Sequence, residues 1–225
     1  MTNWTPQNLK KRLVVSAALP YDDITEIEDL LENSSDYHGI AVLPTFIKRI
    51  RQLIPRESGG NLVGLVGYPS GCVTCSTKVT EIRQLVYQGC DSFNVVSNTA
   101  LVLSNDWEEV ECDLYSVIKS AGGHPVTVTT EAAYLEEEQI KHLVDISLEA
   151  GAEAISTTTG WLPKIPESEL ITLIKSLVGE GVSVEAAGIL SYDQFKLAVE
   201  AGADRFFIRR QTAEAILAQL EMKNQ

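Results

Sequence analysis

Residues Glu153 to Trp161 read EAISTTTGW, and the fold follows from how this stretch is read. An apolar opening runs into one Ser and three Thr and then a Gly. β-branched residues favour an extended, half-buried strand, and Gly160 lets the backbone turn sharply close to a ligand. Ala150-Gly151-Ala152 ends a helix just before it, and an amphipathic helix is expected from Ser168. The stretch is therefore one unit of an alternating α/β protein. Its polar strand end lies where such folds place their active sites.

Outward from this unit the same alternation repeats. LVVSAAL from Leu13 precedes a helix over 24–31, and GIAVLP from Gly39 precedes Phe46 to Leu53. LVGLVGYP from Leu62 precedes a helix carrying Val79, Ile82, Leu85 and Val86 on one face. SFNVVSN from Ser92 precedes a helix over 106–121, with Asn105 and Glu108 as a loose capping box and Gly122-Gly123 as its end. PVTVTTE from Pro125 precedes 136–150, VSVEAAG from Val182 precedes 192–201, and RFFIRR from Arg205 precedes 212–222. With the opening stretch, this makes about eight strand–helix pairs, the number that closes a parallel (β/α)8 TIM barrel.

A weak repeat supports this reading. YQGCDSF, LEAGAEAI and VEAGADRF each set a helix-ending Gly (Gly89, Gly151, Gly202) shortly before a strand, where a left-handed cap is needed. Neither a linker nor a low-complexity segment interrupts the chain, so 1–225 is expected to form a single domain.

Composition narrows the function. With 18 Lys and Arg against 31 Asp and Glu the net charge is −13, which argues against nucleic acid as a partner. The sequence has no apolar run long enough for a membrane span and no signal-peptide pattern, so a cytoplasmic protein with four reduced Cys is expected. In a barrel the βα turns carry chemistry. That rule selects Ser97 and Asn98, Thr129 and Glu131, Ser156 to Gly160, Glu185 to Gly188, Ile208 to Arg210, and Pro69 to Thr74.

Several of these stretches resemble the deoxyribose-phosphate aldolase family, class I aldolases on a TIM barrel. YPSGCVTCSTKVTE from Tyr68 follows the family's F-P-x-G-x-x-x-T-x-x-K-x-x-E pattern at Pro69, Gly71, Lys78 and Glu81, and departs from it at Tyr68 and Cys75. GIAVLPTFI, the segment from Asn98 to Gly123, EAGAEAISTTTG, VEAAGILS and EAGADRF are also similar to the family, so the likeness runs from about Leu13 to Arg210. It implies a lyase acting on a carbohydrate phosphate, with no cofactor and no metal, and leaves a homodimer open.

The residues that the resemblance makes catalytic are replaced. The family's Schiff-base Lys, in its "KTSTG" motif, falls on Ser156. The second Lys falls on Glu185, and the proton-shuttling Asp on Asn94 or an adjacent position. A further Lys falls on Thr127. No Lys lies within two residues of Ser156 or Glu185, and a one-residue slip turns a side chain to the other face. An imine needs an amine, and a carboxylate beside an amine stabilises its unreactive ammonium form.

The implied phosphate site keeps Gly160 and Gly188. Its second Gly has become Ile189, and its eighth-strand small residues have become Phe207, Ile208 and Arg209. Arg209 or Arg210 offers an anion clamp instead.

The candidate site is thus Ser156, Glu185 and Asn94 at the family's catalytic positions, with Thr127, Glu131, Thr158, Gly160, Gly188 and Arg209 as ligand-binding residues. The leading reading is a pseudoenzyme-like or chemically altered homologue that binds a small phosphorylated or acidic molecule, with Glu185 or Glu131 as any acid or base. A working aldolase with a relocated nucleophile, Lys164, and a non-catalytic partner subunit are the alternatives. Thr127, Thr158 and Glu185 are expected to point into the barrel near its C-terminal end.

The remaining motifs have plainer readings. Cys72-x-x-Cys75 sits at a helix start, a context that lowers a thiol pKa, yet small residues at a crowded turn explain it as well. Lys78 is expected to pair with an acid outside the pocket, and His38 and His124 to be structural.

Overall fold

The structure is a computed structural model that describes residues 4–31, 34–165 and 167–223. Eight parallel strands close into a barrel: β1 Leu13–Ala17, β2 Gly39–Val42, β3 Leu62–Val66, β4 Ser92–Val96, β5 Val126–Thr129, β6 Ala154–Ser156, β7 Ser183–Ala187 and β8 Arg205–Arg209. Closure comes from β8 pairing with β1, Phe206 opposite Leu13. This is the (β/α)8 barrel expected from the alternation.

Helices surround it: α1 Pro6–Lys10, α2 Ile24–Leu31, α3 Ile47–Leu53, α4 Cys75–Gln88, α5 Thr99–Leu103, α6 Trp107–Ser120, α7 Glu137–Glu149, α8 Ser168–Leu177, α9 Tyr192–Glu200 and α10 Arg210–Lys223. The expected helices are all present. Two short ones, α1 and α5, were not anticipated, because five residues are too few to display a helical period. Gly89, Gly151 and Gly202 hold φ of +99°, +100° and +95°, the left-handed caps that the repeat predicts. The expected capping box at Asn105 is not formed. Asp106 is the N-cap without a side-chain bond, while Asn105 is itself left-handed and its Oδ1 accepts from Gln139.

Period-two alternation sorts the strand residues into two layers. Val15, Ile40, Val95, Val128, Ile155, Val184, Phe206 and Ile208 face the helices and belong to the large outer core. The inner layer is divided. Val14, Ala41, Val63, Leu65, Ala187 and Phe207 form a separate apolar cluster inside the barrel, with Leu43 and Tyr68 packed on it. The opposite wall is polar: Asn94, Thr127, Thr129, Ser156, Glu185 and Arg205 are all buried there.

Candidate functional site

The polar wall is built by strand register. Asn94 lies opposite Thr127, Thr129 opposite Ser156, Ser156 opposite Glu185, and Glu185 opposite Arg205. In a parallel ladder, paired residues point to the same face, so this register brings Asn94, Ser156 and Glu185 together in the interior. Asn94 Nδ2 donates to Glu185 Oε1 at 3.3 Å, and Asn94 Oδ1 accepts from the Thr129 hydroxyl. Ser156 is fully buried and its Oγ makes no hydrogen bond of ordinary geometry. Burial pushes the Glu185 carboxyl above its usual range, while the Arg205 guanidinium and the nearby Ser156 hydroxyl pull the other way.

The interior position expected for Thr127 and Glu185 is found, but not their opening toward the C-terminal end. Thr127, Asn94 and Glu185 line a cavity of about 190 Å³ that opens among Asn61, Asp91, Pro125 and Glu153, the residues just before β3, β4, β5 and β6. That is the N-terminal end of the barrel. The reason is steric: on the C-terminal side Leu65, Ala187 and Phe207 pack with Tyr68 into the interior apolar cluster.

The C-terminal mouth is consequently small. A cleft of about 50 Å³ lies among Ser16, Tyr68, Gly160, Gly188, Phe207 and Arg209, with Thr159 and Ile189 also on its wall. Tyr68 and Trp161 meet edge to face across it, their ring centroids 5.8 Å apart. Burial raises the Tyr68 hydroxyl pKa, so it stays protonated at neutral pH. Gly160 and Gly188 have φ of +75° and +73°, and a Cβ on Gly160 would sit 3.7 Å from Gly188 Cα. Their backbones therefore come together as a glycine-walled edge. Arg209 is exposed at the rim, whereas Arg210 is tied to Glu26, Asp29 and Glu214 outside the barrel. Of the two arginines, only Arg209 lines the mouth.

Glu131 and Thr158 are bonded to each other. Glu131 is left-handed at φ +52° and almost fully buried. One carboxylate oxygen accepts from Thr158 Oγ1 at 2.7 Å; the other accepts from Thr159 N at 2.8 Å and from Thr159 Oγ1. The carboxylate is a clamp holding the turn after β6 against the turn after β5. Both threonines are bonded to that carboxylate, and of the two Thr159 lines the mouth.

Lys164 lies outside the mouth: its Nζ is 3.5 Å from the Ala133 carbonyl and 5.1 Å from the centre of the Tyr134 ring. Lys78 is the buried lysine among the described residues. It pairs with Asp113 at 2.6 Å and donates to the Val96 carbonyl at 2.9 Å, as expected of a lysine paired outside the pocket. The four Cys are free, and Cys75 is shifted upward by burial rather than downward by its helix start.

Arg205 is the residue that sequence reasoning missed. Alternation within RFFIRR puts Arg205, Phe207 and Arg209 on the inner face together, so the signal existed. A charged residue at the N-terminal start of a strand is ordinarily read as a solvated edge.

A closed parallel barrel with a glycine-edged C-terminal mouth and a polar interior wall is the architecture of a (β/α)8 TIM-barrel protein. The chain is 30% identical over 224 residues to deoxyribose-phosphate aldolase of Klebsiella pneumoniae, covering 97% of this chain and 90% of the relative. It is 29% identical over 189 residues to deoxyribose-phosphate aldolase of Staphylococcus carnosus, covering 83% and 86%. Among solved structures, an aldolase designated QR15 superposes with a TM-score of 0.87 at 27% identity, over 96% of this chain and 97% of that one. Deoxyribose phosphate aldolase from Aeropyrum pernix, described as tetrameric, superposes with a TM-score of 0.85 at 27% identity, over 96% and 92%. No family model matches the sequence. The chain belongs to the deoxyribose-phosphate aldolase family.

Proposed function

We propose that this chain is a family member that has given up imine-forming aldolase chemistry and holds a small phosphorylated or acidic molecule at its C-terminal mouth. The observation that carries the reading is the composition of the inner wall. None of the inward-facing strand residues is a lysine, and a buried serine faces a buried glutamate at the level where an amine would be needed. A serine hydroxyl cannot condense with an aldehyde to an imine, and a carboxylate in register with it opposes the lowered amine pKa on which class I chemistry depends.

The ligand reading draws on Gly160, Gly188 and Arg209. Two glycine backbones without side chains give an anion close access to main-chain N–H groups, and an arginine at the rim supplies a bidentate donor. Tyr68, Ile189 and Phe207 narrow the same cleft, which favours a single anionic headgroup over a long substrate.

The test is borohydride treatment in the presence of 2-deoxyribose 5-phosphate or acetaldehyde, followed by intact mass measurement. The expected mass is unchanged. A stoichiometric adduct on any lysine, Lys164 included, would sink the reading. In a separate arm, inorganic phosphate is expected to raise the melting temperature of the protein but not of the Arg209→Ala variant.

A further inference from the structure

Barrel enzymes bind their substrates at the C-terminal face, and the N-terminal face is ordinarily a packed floor. Here the larger cavity is at the floor, about 190 Å³ against about 50 Å³ at the C-terminal mouth. At roughly 30 Å³ per water, it has room for about six waters or a compound of similar bulk. Its polar lining is assembled around Arg205. Arg205 as a residue is 9% exposed, and its Nη1 lies 2.9 Å from His38 Nε2 and 3.3 Å from Glu153 Oε1, while Nη2 lies 3.1 Å from Thr127 Oγ1. Its Nε–H is buried without an acceptor in the protein.

This arrangement is expensive as pure architecture. A buried cation that is only partly satisfied is worse for stability than an apolar replacement, and an unfilled donor adds to the cost. The acids around it do not over-neutralise it. Asp91 is committed to Arg51 and Arg56 and to the backbone of Leu62. Glu153 is half exposed at the rim, and burial raises the Glu185 pKa while Arg205 itself pulls it down. His38 accepts from Arg205, so its Nε2 is unprotonated, and burial together with Arg205 lowers its pKa. The cavity thus combines a guanidinium in want of an oxygen with carboxyl and amide groups suited to hydroxyls.

The geometry points to a second ligand site at the N-terminal end of the barrel, taking a three- to four-carbon hydroxy acid whose carboxylate meets Arg205 and whose hydroxyls meet Glu185 and Asn94. It stands apart from the C-terminal mouth, and either site can be occupied without the other.

Glycerate is the probe. It is titrated into 15N-labelled protein while the backbone amides of Gly39 and Gly160 and the side-chain Nε–H of Arg205 are followed by NMR. Saturable shifts at Gly39 and at the Arg205 Nε–H are expected in the millimolar range, with Gly160 unmoved. Arg205→Lys, which keeps the charge but loses the planar fork, is expected to weaken binding about tenfold or more. Val63→Phe, which fills the cavity from its apolar wall and leaves Arg205 in place, is expected to abolish it.

Absence of saturable shifts would overturn the site. Equal affinity for butyrate, which has the carboxylate but no hydroxyl, would overturn the ligand class. Shifts centred on Gly160 with Gly39 silent would place binding at the C-terminal mouth, overturning this site while favouring the proposed function.

Discussion

Asn94 on β4 donates to Glu185 on β7 at 3.3 Å, across the interior of the barrel, from positions 91 apart in the chain. The amide is oriented by its other bond, the Thr129 hydroxyl on Asn94 Oδ1, so that its N–H faces the carboxylate. Two of the three positions at which the family resemblance places catalytic groups are thereby bonded to one another, and the third, Ser156, sits in register beside Glu185.

Placing an amine at position 156 alone should not give imine chemistry. Ser156→Lys puts a long side chain at a fully buried position beside Glu185. Charge attraction then favours the ammonium, and overpacking costs about 1–3 kcal/mol. The expected result is no borohydride-trappable imine from Ser156→Lys, trace imine with Glu185→Lys added, and measurable turnover only when Asn94→Asp supplies a proton acceptor, a group that typically contributes about 10²–10⁴-fold. Substantial turnover from the single variant would contradict this electrostatic account.

Glu185 should leave a signature in the pH dependence of stability. Its folded pKa is raised above the ordinary value of 4.5, so the native state keeps the proton longer than the unfolded chain does. Its contribution is greatest below the unfolded value and declines as pH rises through the folded one. The stability of Glu185→Gln relative to the parent should therefore increase from about pH 4 toward neutrality. Denaturant melts at several pH values test this, and a difference that stays constant would refute it.

Lys78 and Asp113 form a buried pair whose removal should be asymmetric. Lys78→Met leaves the Asp113 carboxylate, already pushed upward by burial, without its counter-charge. A loss of about 3–5 kcal/mol is expected, with much of it returned by Lys78→Met combined with Asp113→Leu. Equilibrium unfolding of Lys78→Met, Asp113→Leu and the double variant beside the parent closes the cycle, and strictly additive single losses would argue against a coupled pair.

Glu131 should behave as a structural clamp. Glu131→Gln keeps the size but not the charge that draws three donors from Thr158 and Thr159. The expected cost is about 1.5–3 kcal/mol, with increased amide exchange at Thr159 and Gly160. An unchanged stability and exchange rate would show that the clamp is dispensable.

The barrel was legible in the sequence because its signals are local. Helical and strand periods alternate down the chain, and Gly89, Gly151 and Gly202 mark where each helix must turn back, since left-handed backbone at a helix end selects glycine whatever lies beyond it. The inward direction of Asn94, Thr127, Ser156 and Glu185 was legible too, because parity along a strand fixes the face. What parity cannot fix is the depth at which an inward side chain opens, or toward which end. That depends on the stagger of eight strands and on which neighbours fill the space above and below. Leu65, Ala187, Phe207 and Tyr68 come from separate units, and only their convergence shut the upper interior and left Thr127 and Glu185 facing the floor. The same holds for Glu131, whose partners lie 27 and 28 residues away, and for Arg205, which meets His38 and Thr127 at separations of 167 and 78. Local sequence determined the strands, the caps and the faces. Long-range packing decided which polar groups are already satisfied by one another and which still face open space.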